Sequence, residues 1–117
     1  MIISNEFIKG LIKPIILKLL EDHGKMYGYE ITQKVEELTQ GKIKLTFGAL
    51  YPILHKLEAD GIVLTETLMV NNRARVYYLL SKTGKVSARE KIAELEEFVR
   101  TIGKLISPEP GILPCTT

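Results

Sequence analysis

Two stretches of this 117-residue chain contain no Asp or Glu. Residues 38–57 hold Lys42, Lys44 and Lys56, and residues 67–89 hold Arg73, Arg75, Lys82, Lys85 and Arg89. The remaining bases share the rest of the chain with all 14 acids, so the formal net charge of +2 hides a strong segregation. Cations gathered this way can neutralise the phosphates of an anionic polymer. They can equally form a solvated surface cluster, and charge alone does not choose. The first stretch also contains Thr46, Tyr51 and His55, whose side chains can donate to phosphates or base edges. Its Gly48 and Ala49 are small enough for a backbone to come close. Each has a plainer reading: Thr46 as a helix cap, Tyr51 as a half-buried ring, His55 as an idle exposed residue.

Catalytic chemistry finds no comparable pattern. His23 and His55 are far apart, and Cys115 is the one cysteine. No His-x₃-His, Cys-x₂-Cys or cation-binding loop spacing occurs, so no metal and no cofactor is expected. A glycine-rich phosphate loop and a nucleophile elbow are missing too, so no catalytic residue is assigned. One cysteine cannot form an internal disulfide. Lys9, Lys13, Pro14 and Lys18 interrupt the apolar N-terminal stretch too often for a membrane span. The chain therefore reads as cytoplasmic, with no membrane partner.

Elements that could position the cations follow from periodicity. Ile8, Leu11, Ile12, Ile15, Leu19 and Leu20 trace a helical stripe that Gly24 can end. Pro14 either kinks this helix or starts a new one after a stop near Lys13. A second helix runs from about Tyr27 to Thr39, with Ile31, Val35 and Leu38 on one face. The third is "LTFGALYPILHKLEADG" (Leu45–Gly61), where Thr46 is a good N-cap and Phe47, Leu50, Ile53, Leu54 and Leu57 form the core stripe. Pro52 costs this helix the hydrogen bond to Gly48. The third helix after a turn makes a helix-turn-helix candidate.

Two strands follow, Ile62–Val70 and Arg73–Leu80, around Asn71-Asn72. Asn tolerates positive φ, which suits a two-residue hairpin turn. Val70 then faces Arg73, Leu68 faces Arg75, and both arginines share one face of a wing. The last helix spans about Thr83 to Ile106. Its Ala88, Ile92, Leu95, Val99, Ile102 and Ile106 repeat in heptads. At about 36 Å it is longer than a compact core of this size, roughly 24 Å across, can cover. A second copy of the chain is the simplest cover for the remainder, with Leu11 as a further contact. The alternative is a helix folded back on its own domain.

The fold class is thus mainly α with a small β-hairpin, a winged helix-turn-helix plus a long C-terminal dimerisation helix. Residues 1–82 form the winged helix, 83–107 the helix, and 108–117 a Pro-rich flexible tail. Three segments carry a family resemblance: "MYGYEI" (Met26–Ile31), "LTFGALYPILHKLEADGIV" (Leu45–Val63) and "RARVYYLLSKTGK" (Arg73–Lys85). Together they resemble the signature of the PadR family of transcriptional regulators, in the short form with one C-terminal helix. The resemblance implies a dimeric repressor of double-stranded DNA. It places Tyr27, Thr46, Gly48, Ala49, Tyr51 and Pro52 on the DNA-facing surface, with Arg73 and Arg75 in the wing. Lys44, Phe47, His55, Lys56 and Asn72 lie beside them. Phe47 and Ala49 depart from the family's usual Pro or Gly and Thr, and the wing lacks the usual Gly-Arg-Pro. Some members bind small aromatic effectors, for which this chain offers no Trp. The rival expectation is a winged-helix protein-interaction module that does not bind DNA.

Overall fold

The computed structural model describes residues 1–107; the expected tail over 108–117 lies outside them. A short helix α1 (Asn5–Ile8) passes through a 3₁₀ turn (Lys9–Leu11) into α2 (Ile12–His23). Pro14 is the third residue of α2, where its missing N–H has no intrahelical partner to lose. The chain thus restarts around Pro14 rather than kinking. Gly24 ends α2 with φ +82°, its N–H donating to the Leu20 carbonyl at 3.0 Å. Next come β1 (Lys25–Tyr27), α3 (Gly28–Leu38), α4 (Phe47–Ala59), β2 (Val63–Val70), β3 (Arg73–Leu80) and α5 (Lys82–Ile106).

The strand β1 was not expected. It adds to the hairpin to give an antiparallel sheet in the order β1-β3-β2, with Tyr27 opposite Tyr77. The hairpin itself has the expected register, Val70 with Arg73 and Leu68 with Arg75. Asn71 and Asn72 have φ of 50° and 64°, the paired left-handed conformation of a type I′ turn.

Ile16, Leu17, Leu20, Ile31, Leu50, Leu54, Leu57 and Val63 form the fully buried centre. Two residues assigned to the apolar stripes of the first three predicted helices are exposed instead. Phe47 is 49% exposed and Leu38 is 60% exposed. Both sit at a helix terminus, Phe47 first in α4 and Leu38 last in α3, where the stripe has run past the packed neighbours.

The start of α5 is fixed to the end of the α4–β2 connection. Ser81 caps it, accepting from the Gly84 N–H at 2.9 Å and donating to the Gly61 carbonyl at 2.6 Å. A Cβ at Gly84 would collide with the Ile62 carbonyl oxygen, so glycine is what lets the helix come this close. The first half of α5 then packs on α2. Ala88 is fully buried there, and Ile92 packs against the same core. The second half carries Phe98, Val99, Leu105 and Ile106 exposed, and the molecule measures 54 Å along its longest axis against 32 and 22 Å across.

Candidate nucleic-acid interface

Helix α4 presents its first turn to solvent. Thr46 caps it, its Oγ1 accepting from the Ala49 N–H at 3.2 Å, and the first turn contains no acid. A Cβ at Gly48 would meet nothing closer than Thr46 Oγ1 at 4.0 Å. No neighbour among the described residues therefore requires a glycine there, and the surface is open to a close external approach. Pro52 is exposed one turn on. Beside this surface is a groove of about 360 Å³, lined by Thr46, Gly48, Ala49, Pro52 and Ile53 together with Asn5 and Lys9 of the N-terminal segment. Asn5 and Lys9 were not among the expected site residues. Nothing local in their sequence marks them; only the tertiary packing brings them to α4.

Phe47, Tyr51 and His55 stand one turn apart. Their rings are separated by 5.8 Å and then 6.0 Å, as i,i+4 neighbours on one face should be. Tyr51 is half-buried, and its hydroxyl lies so close to Gly28 that a Cβ there would overlap it. The ring thus packs α4 on the start of α3. Lys44 reaches Glu36 at 3.9 Å and Lys56 reaches Asp60 at 3.1 Å. These pairs are exposed, and such pairs contribute about 0–1 kcal/mol, so a phosphate can compete for either lysine.

The wing puts Arg73 and Arg75 on one face, as expected, with Asn72 exposed at the turn. Their surroundings differ. Arg73 is exposed and has no ion pair or ring contact among the described residues. Arg75 is half-buried, its guanidinium carbon 4.1 Å from the centre of the Tyr27 ring. Tyr27 in turn meets Tyr77 edge-on at 5.4 Å. The Arg75 pKa is raised above its already high ordinary value, chiefly by a hydrogen bond to Tyr77, and a guanidinium is charged at any ordinary pH. Lys25 lies 5.6 Å from the Tyr77 ring centre and 3.1 Å from Glu66.

Among the described residues no cluster of His, Cys, Asp and Glu could hold a metal, and no helix is long and apolar enough to cross a membrane. The PadR-like family of transcriptional regulators matches residues 16–90, which run from α2 through the sheet into α5. The chain belongs to the PadR-like family. It is a family of transcriptional regulators, not of enzymes. A curated relative, transcriptional regulator Rv3488 of Mycobacterium tuberculosis, is 34% identical over 83% of this chain and 87% of its own length. A transcriptional regulator from Clostridium thermocellum has a solved structure with TM-score 0.76 and 28% identity, covering 91% of this chain and 100% of that one. A PadR family transcriptional regulator from Eggerthella lenta aligns at TM-score 0.70 and 25% identity over 89% of this chain and 88% of its own.

In this PadR-family chain the expected dimer residues fall into two groups. Ala88 is fully buried in the chain's own core, so it has no surface to offer a second copy. Ile92 and Leu95 are half-buried, lining a groove of about 410 Å³ with Pro14, Ile15, Leu19, Val35 and Ile43. Folding back on α2 thus accounts for the first half of the seam. Val99 and Ile106 are exposed, and Ile102 and Leu11 are half-buried. Heptad spacing alone could not separate these groups, because it does not say which neighbour covers a given residue.

Proposed function

We propose that this PadR-family regulator binds double-stranded DNA in a sequence-specific manner as a homodimer. The observation that carries the reading is the open, acid-free first turn of α4 standing in one molecule with an arginine-bearing wing. In helix-turn-helix proteins the start of the recognition helix meets base edges in the major groove, while cations and backbone amides hold phosphates. Thr46, Gly48, Ala49 and Pro52 form the groove-facing surface, and Phe47, His55 and Tyr51 border it. Lys44, Lys56, Arg73 and Arg75 meet phosphates, with Tyr27 and Asn72 alongside.

A two-fold dimer presents two such helices to a pseudo-palindromic operator, half-site centres about 34 Å apart or a multiple of that. The exposed apolar residues of the second half of α5 support this assembly, since burying them against a second copy removes them from water. Occupying a promoter would make the protein a repressor, acting in the cytoplasm. A small aromatic effector would find apolar walls in the groove between α2, α3 and α5.

The test is selection of bound sequences from a random duplex pool by the purified chain. The expected product is an inverted repeat. Recovery of no enriched sequence would favour the protein-interaction module instead.

A further inference from the structure

We propose that Tyr27, braced edge-on by Tyr77, is a positioning residue for Arg75, holding its guanidinium on the wing so that its edge meets a DNA phosphate. This rests on the DNA-binding reading and changes the role of Tyr27 within it. Tyr27 acts on DNA through Arg75 rather than by touching it.

The two arginines of the wing provide an internal comparison. They lie two residues apart on one face of β3, paired across the hairpin with Val70 and Leu68. Among the described residues Arg75 alone of the two has a ring to rest on, that of Tyr27. Tyr77 follows it on the same face, and β1 places Tyr27 directly opposite Tyr77. β1 ends at Tyr27, its one ring, which lies opposite Tyr77 and does not extend to Arg73. Tyr27 is itself held from behind. Its backbone N–H donates to Glu30 Oε1 at 3.1 Å, and Tyr29 stacks on its ring at 6.3 Å with the planes 21° apart. The ring that carries Arg75 is therefore fixed at the junction of the sheet and α3.

A guanidinium has a face and an edge. Stacking on an aromatic ring uses the face, while the five N–H donors lie in the plane and point out of the edge. Arg75 can stay on Tyr27 and still form a two-pronged contact with a phosphate. A long side chain normally loses rotamer freedom when it binds; one already held in place loses less. Exposed cation–π contacts are of a size that changes an equilibrium about two- to five-fold.

The experiment is a double-mutant cycle on affinity for the selected duplex, with the full chain and the variants Y27L, Y27F, R75A and Y27L/R75A. Y27L is expected to weaken binding about two- to five-fold, and Y27F to stay within about two-fold of wild type because its ring remains. The double variant is expected to bind no more weakly than R75A alone. If Y27L weakens binding equally in the R75A background, Tyr27 has its own contact and the proposal is wrong. Y27F as weak as Y27L would assign the effect to the hydroxyl and overturn the proposal as well. Wild-type protein that binds no duplex overturns the DNA reading and this proposal together, whereas a binding wild type with an additive cycle overturns this proposal alone. Should Y27L fail to fold, NMR relaxation of the arginine Nε–H groups in the wild type decides: Arg75 is expected to be more ordered than Arg73, and equal mobility would overturn the clamp.

Discussion

Helices α4 and α5 are built on the same period, and each leaves a face outside the core, but the faces are of opposite character. Outside α4 lie Gly48, Pro52, His55 and Lys56, with no acid in the first turn. Outside the second half of α5 lie Phe98, Val99, Leu105 and Ile106. Beyond Arg89, charges of α5 pair along its own surface, Lys91 with Glu94 at 2.6 Å and Arg100 with Glu97 at 2.8 Å. Those lysine and arginine partners hold both glutamates below the usual carboxylate range. An anion gains nothing from such a face, whereas a second apolar surface does. The reverse holds for α4. Under the proposed reading the two uncovered faces take different partners, DNA on α4 and a second copy on α5, and the side chains on each decide which.

The contrast can be broken by substitution, starting inside α5 itself. Ile92 packs on the chain's own core, so I92D should destabilise the fold by about 2–4 kcal/mol in a denaturant titration. Val99 lies past that contact. V99D should keep its circular dichroism spectrum and weaken the dimer about ten-fold or more in sedimentation. An intact V99D dimer would detach Val99 from the interface. On the other face, R73A with R75A should weaken binding to every duplex. The salt slope should fall by about 0.9 for each phosphate no longer neutralised, roughly 1.8 for two. An unchanged slope would remove the wing from the phosphates. The smallest effect belongs to the cap. T46A should cost about 1 kcal/mol of stability by leaving the Ala49 N–H without its side-chain partner, as a thermal melt would read.

Local chemistry made much of this architecture legible. The Thr46 cap, the Gly24 stop, the Asn-Asn turn and the hairpin register each depend on residues within a few positions of one another. What was not legible depends on distance along the chain. β1 has three residues and forms only because β3, some fifty positions later, offers it an edge. A strand so short has no periodicity to read. The stacking of Arg75 on Tyr27 depends on that same pairing, so the sequence could place both residues near DNA without linking them. Gly84 and Tyr51 are similar cases, one packed against Ile62 and the other against Gly28. Phe47 and Leu38 are exposed for another reason: a stripe of helical period runs to both terminal residues of a helix, while the core that covers it does not.

The central claim is that two copies of α4 meet one duplex on the same side. Hydroxyl-radical footprinting of the wild-type protein on its selected site tests it most directly. Two protected blocks are predicted, with centres about 34 Å apart or a whole multiple of that, both lost when V99D is tested at the same concentration. A single unphased block, or protection that V99D leaves unchanged, would contradict the account.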